Sequence, residues 1–144
     1  MPAGLGFHPY FPRTTTTCYI GMHRGAWQTG SDGLPQSLND GPGVRDWWDG
    51  KPVGDIVADT VFTGRQGTLD VIWPERDLRM IISPSDNLDH TVVYTPENAD
   101  YFCVEPVTHA TNAINASDPD RRMRHLEPGE SLTASVHYGA MELP

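Results

Sequence analysis

Two alternating apolar runs joined by a turn constrain this chain more than anything else in it. Leu69, Val71 and Trp73 alternate with Thr68, Asp70 and Ile72. Pro74-Glu75-Arg76-Asp77 follows, and then Leu78, Met80 and Ile82 alternate with Arg79 and Ile81. A period of two places each apolar set on one face of an extended strand, so the segment predicts a β-hairpin with a four-residue connection. No twelve-residue window carries the i, i+3, i+4, i+7 spacing of an amphipathic helix, and no internal repeat is visible. Fourteen glycines and thirteen prolines in 144 residues, with threonine outnumbering both leucine and alanine, point the same way. Glycine and proline break helices, and β-branched residues suit pleated surfaces, so short strands with many turns are expected.

The rest of the chain fits an antiparallel, all-β single domain over residues 1–144. His90 to Thr95 reads as a strand stopped by Pro96, and Tyr101 to Glu105 as another closed by Pro106. In the last strand Leu132, Ala134, Val136 and Tyr138 are expected to face a core, with Ser131, Thr133, Ser135 and His137 outward. Glu127-Pro128-Gly129-Glu130 before it suits a type II turn, with proline at the second position and glycine at the third. Residues 29–54 are rich in Gly, Asp and Pro without periodicity and read as a long irregular loop. Trp47 and Trp48 inside it imply that part of the loop packs down.

Composition excludes several function classes. Nineteen acidic against ten basic residues give a net charge of −9. That field repels phosphate backbones, and no basic stripe offsets it, so no nucleic-acid partner is expected. No apolar run approaches the roughly 18 residues that span a bilayer, so no membrane is expected. Met1 to Gly6 lack the basic and apolar regions of a signal peptide. Two distant cysteines, Cys18 and Cys103, make neither a disulfide framework nor a CxxC knuckle, which points to a cytoplasmic setting. Asp86, Asp89 and His90 could ligate a metal, but they lack a fourth ligand at suitable spacing and read better as a solvated turn. Gly4-Leu5-Gly6 lacks the third glycine of a dinucleotide fingerprint, and no G-x-S-x-G elbow exists. No metal or cofactor is expected.

Three residues sit in settings that could carry chemistry. His8, in Gly6-Phe7-His8-Pro9-Tyr10-Phe11, is held extended by Pro9 and flanked by aromatic rings. It is either a proton donor and acceptor near neutral pH or a partly buried histidine at a strand end. Glu105 shares a strand face with Cys103 and Tyr101, opposite Phe102 and Val104. A carboxylate closing an apolar strand has a raised pKa unless it finds donors, which suits a general base; the other reading is a carboxylate reaching solvent. Asp59, before Thr60-Val61-Phe62-Thr63-Gly64, either binds a sugar hydroxyl or caps a turn, and by itself the cap is preferred.

Taken in order, these motifs resemble the C-terminal half of the aldose 1-epimerase (galactose mutarotase) family. The match runs through Gly6 to Phe11, Asp59 to Gly64, Val93-Tyr94-Thr95-Pro96, Phe102 to Asn115, and Leu126 to Glu130. Each piece is short, but five in the right order over nearly the whole chain make a specific signal. The resemblance implies a large galactose mutarotase-like β-sandwich with sugar in an open cleft on one sheet. It also implies an isomerase of carbohydrate metabolism that interconverts the α and β anomers of a free aldose without metal or cofactor. In that scheme Glu105 is the base that takes the anomeric hydroxyl proton and His8 the acid that protonates the ring oxygen. Asp59, Tyr94 and His109 then fall to substrate binding. Val92 stands where many members carry a sugar-binding glutamine.

Members of the family commonly run to twice this length, and their N-terminal half supplies a sugar-binding arginine and a second histidine. The chain therefore reads as a truncated form that begins at an internal methionine. Activity lost with the missing half is one expectation. A non-catalytic carbohydrate-binding module and a fragment that pairs as a homodimer through exposed sheet edges are the alternatives.

Overall fold

The computed structural model describes residues 1–40, 47–54, 56–116 and 123–143. Its elements are strands β1 (Pro2–Ala3), β2 (Tyr10–Pro12), β3 (Cys18–Thr29), β4 (Pro35–Asn39), β5 (Lys51–Pro52) and β6 (Ala58–Trp73), then β7 (Leu78–Pro84), β8 (His90–Thr95), β9 (Tyr101–Val107), β10 (Arg124–His125) and β11 (Val136–Glu142). The chain is nearly all β and antiparallel, as expected, with single 3-10 turns at Pro74–Arg76 and Ala113–Asn115. No helix is long and apolar enough to cross a membrane among the described residues.

β6 is the strand on which the architecture turns. Its first half pairs with β8, from Ala58↔Thr95 to Phe62↔Thr91, and its second half with β7, from Leu69↔Ile82 to Trp73↔Leu78. β3 pairs along its other edge from Phe62 to Ile72. One sheet therefore has two arms: β7 and β11 on one side of the bend, and β8, β9 and β2 on the other. The bend lies between Gly64 and Gly67, whose φ values of 67° and 72° are left-handed and cheap only for glycine. There, two steps along β3, from Ile20 to Met22, are matched by four along β6, from Asp70 to Gln66. Arg65, between the two glycines, donates to the carbonyls of Gly67, Leu88, Pro84 and Ser85, tying the bend to the β7–β8 connection.

Bending brings the inner faces of the two arms together over one core. Phe62, Val93, Phe102, Val104 and Phe11 come from one arm, Leu69, Val71, Trp73 and Ile82 from the other, with Tyr19, Trp47 and Val53 filling the space between. Phe11 and Trp73 meet across the gap with ring centroids 6.3 Å apart, and Trp73 Nε1 donates to the Pro12 carbonyl at 2.8 Å. The result is a β-sandwich.

The expected hairpin is present: Leu69, Val71 and Trp73 are buried, and Asp77, at φ 50°, closes the turn. The type II turn is there too, with Gly129 at φ 89° and the Glu130 amide donating to the Glu127 carbonyl. Other expectations need correcting. The last strand is Val136–Glu142, not Ser131–Tyr138, because pairing with β7 starts only at Val136↔Pro84. Leu132 and Ala134 are half-buried as that alternation requires, but Tyr138 is 45% exposed on strand β11 at the sheet edge. Residues 29–54 are not wholly irregular. β4 pairs with β3, and β5 also reaches β3; Trp47 is buried against Tyr19, whereas Trp48 is exposed. Residues 41–46 of that segment lie outside the described residues. Asp59 caps no turn, because it lies inside β6 opposite Tyr94.

Candidate active site

Residues directly opposite one another in a sheet share a face. Across β6, β8, β9 and β2, the pairs Asp59↔Tyr94, Tyr94↔Cys103 and Cys103↔Tyr10 form one row on the face turned away from the core. The next row joins Val61, Val92 and Glu105. Glu105 and Cys103 thus project from the same side of β9, two residues apart, while Phe102 and Val104 enter the core, as the alternation predicts.

His8 reaches this face from the segment before β2. Leu5 to Phe7 run beside the end of β9, with the Phe7 amide donating to the Pro106 carbonyl and the Thr108 amide to the Leu5 carbonyl. The His8 ring stacks on Tyr10, centroids 4.9 Å apart and planes 18° off parallel. That places His8 Nε2 at 3.3 Å from Glu105 Oε1. The His8 side chain is 54% exposed and that of Glu105 only 12%. Burial pushes the Glu105 carboxyl up from its ordinary value; the neighbouring His8 opposes this, and the charge of Asp59 adds to it. The two sequence candidates are therefore in contact, and the third acts on Glu105 through its charge.

Tyr94 lies on the same face, between Asp59 and Cys103. His109 does not join the pair. Its ring lies against Gly4, where a Cβ would come within 2.2 Å of its Cε1, and its Nδ1 is 3.0 Å from Thr108 Oγ1. Burial lowers its pKa, which favours a neutral ring.

Asp86, Asp89 and His90 gather no metal-ligand cluster among the described residues. Instead His90 Nδ1 lies 2.6 Å from Asp89 Oδ1 and its Nε2 is 3.1 Å from Thr63 Oγ1. Both ring nitrogens of His90 are thus engaged within the protein. Two residues went unsingled in the sequence. Tyr10 orients His8, and its place in the His8-Pro9-Tyr10 run was the available signal. Cys103 shares the Glu105 face by the alternation already noted; burial, with help from Glu105, pushes its thiol up to about 11.

Fold and site together define a β-sandwich protein with an imidazole–carboxylate pair on its outward sheet face. The aldose 1-epimerase family model matches residues 1–139, and the chain belongs to that family. It is 25% identical to the uncharacterised Escherichia coli protein YphB over 94% of this chain and 49% of YphB, so it spans about half the length of that curated relative. Among solved structures it resembles a putative aldose 1-epimerase from Escherichia coli, with TM-score 0.88, 23% identity, and coverage of 99% of this chain and 52% of the other. A galactose mutarotase-like protein from Clostridium acetobutylicum matches with TM-score 0.85, 16% identity, and 99% and 48% coverage. The Slr1438 protein of Synechocystis matches with TM-score 0.73, 25% identity, and 99% and 46% coverage.

Proposed function

We propose that this chain carries the acid–base centre of an enzyme that interconverts the α and β anomers of a free aldose. The 3.3 Å contact between His8 and Glu105 carries the reading. In a cyclic aldose the anomeric hydroxyl oxygen and the ring oxygen are bonded to the same carbon. A base for the one and an acid for the other must therefore be neighbours, and here they are. Glu105, with its raised pKa, takes the anomeric proton as protonated His8 gives one to the ring oxygen. The C1–ring-oxygen bond breaks and a carbonyl forms at C1. Rotation about C1–C2 and the reverse transfers close the ring as the other anomer, and both side chains regain their starting protonation. The scheme balances with no group beyond the two side chains. Asp59 and Tyr94, on the same face, suit hydroxyl binding, and Val92 leaves only methyl groups opposite Glu105.

Polarimetry of freshly dissolved α-glucose or α-galactose tests this. The protein should speed the decay of rotation, and Glu105→Gln should lower that acceleration by about 10²–10⁴-fold, the usual share of acid–base catalysis. No acceleration by the unsubstituted protein overturns the catalytic reading. Saturable sugar binding without acceleration, lost in Glu105→Ala, would instead identify a carbohydrate-binding module.

A further inference from the structure

We propose that His8, Cys103 and Glu105 form a binding site for a thiophilic divalent cation of the zinc class. The ligand atoms of the three side chains, an imidazole nitrogen, a thiol sulfur and a carboxylate oxygen, all lie within 4.8 Å of one another. Three points so spaced have a common centre within about 2.8 Å of each (4.8 Å over √3). Zinc bonds run to about 2.0–2.3 Å for these donors, so the three need to close by about half an ångström. His8 can supply that movement, since its side chain is half exposed and is held on one face by Tyr10. The other two donors are fixed by the geometry of one strand, β9, at positions two apart.

The donor set selects the ion. Sulfur and imidazole nitrogen favour zinc and its neighbours, whereas magnesium and calcium prefer all-oxygen sets. Three protein ligands leave a fourth tetrahedral position, which opens to solvent beside His8 and takes a water. Binding exchanges the thiol proton of Cys103 for the cation and involves no change of oxidation state. Cys18 is not part of the site; it lies on β3, with its thiol 3.4 Å from the Thr16 carbonyl. An ion held this way occupies both members of the acid–base pair. The site stands independently of the anomer-exchange reading, because it is detected with the metal alone.

The test is a titration of metal-free protein with Co²⁺ as the spectroscopic stand-in, followed by displacement with Zn²⁺. One equivalent should raise a thiolate-to-cobalt charge-transfer band that Zn²⁺ then abolishes. Cys103→Ser should lose the band and Cys18→Ser keep it. His8→Ala, at a half-exposed position that leaves the core untouched, should weaken binding about tenfold or more, since even indirect supports of a metal ligand are worth that much. Absence of the band in the unsubstituted protein overturns the proposal. So does a band that survives Cys103→Ser, or full affinity in His8→Ala; the last decides the matter even if Cys103→Ser fails to fold.

Discussion

On the β7 arm of the sheet, Asp70 receives Arg79 Nε at 3.1 Å and Nη2 at 2.9 Å; on the β9 arm, Glu105 meets His8 through a single 3.3 Å contact. Both carboxylates are largely buried on outward faces of the same sheet, at 8% and 12% exposure. Asp70 has both oxygens held by a group that keeps its proton at all ordinary pH values, and its hydrogen bonds and charge push the Arg79 pKa up further. No proton can move in that pair. Glu105 faces an imidazole, a side chain that can give up a proton as a guanidinium cannot, and burial makes the carboxyl a stronger base. The same two ingredients, a buried carboxylate and a basic partner, give a doubly bonded brace in one arm and, in the other, the single contact on which the proposed proton transfer rests. What differs is whether the partner can release its proton.

Three substitutions sharpen this contrast. The largest effect is expected where the arms meet rather than at either pair. Trp73→Ala removes the ring that touches Phe11 and the donor to Pro12, and should cost about 3–5 kcal/mol in urea unfolding. A much smaller loss would mean that the arms are not mutually supporting. Next, Asp70→Ala should cost about 1–3 kcal/mol, between the values for exposed and for buried pairs because the Arg79 side chain is 37% exposed. Glu105→Gln should stay within about 1 kcal/mol of the unsubstituted protein, since it removes a carboxylate that burial already penalises. Equal losses at the two sites would erase the distinction between brace and proton carrier.

The smallest effect is a shift in pH. The charge of Asp59 raises the Glu105 pKa, so Asp59→Asn lowers it. Glu105 then stays ionised to lower pH, and the acid limb of the anomer-exchange rate profile moves in that direction. Titration of the Glu105 carboxyl by NMR checks the same sign without a turnover assay, and an upward shift would contradict the arrangement.

The hairpin was legible because its apolar side chains alternate, and the two strands of the site arm because each is a β-branched and aromatic run stopped by a proline, Pro96 or Pro106. β3 was not. Tyr19 is buried in the main core and Trp27 in a separate cluster with Val61 and Ala110 on the other face, while Gly21 and Gly25 are buried too, with no side chain to mark the period. His23 hides it further: burial lowers this imidazole to about 3, so it sits neutral inside the sheet while reading as polar. The length of β6 was hidden by its bend, since Gly64 and Gly67 look like turn residues yet serve as a kink within one strand. At the site, His8 and Glu105 stood out through proline and apolar neighbours and through the family motifs that contain them. Their contact joins residues 97 positions apart and required the β2–β9 pairing. The mistaken turn cap at Asp59 has the same origin, because nothing near it announces that it lies inside a sixteen-residue strand.

His8 comes from the margin of the sheet, since among the described residues β2 pairs with β9 alone, whereas Glu105 lies on β9 between two neighbours. Edges fray before interiors do, through local openings that cost less than global unfolding. A brief lifting of residues 5–12 would carry the imidazole away from a carboxylate that stays where it is. Warming should therefore part the imidazole from the carboxylate before the core opens, which earlier amide exchange in residues 5–12 than in β9 would show.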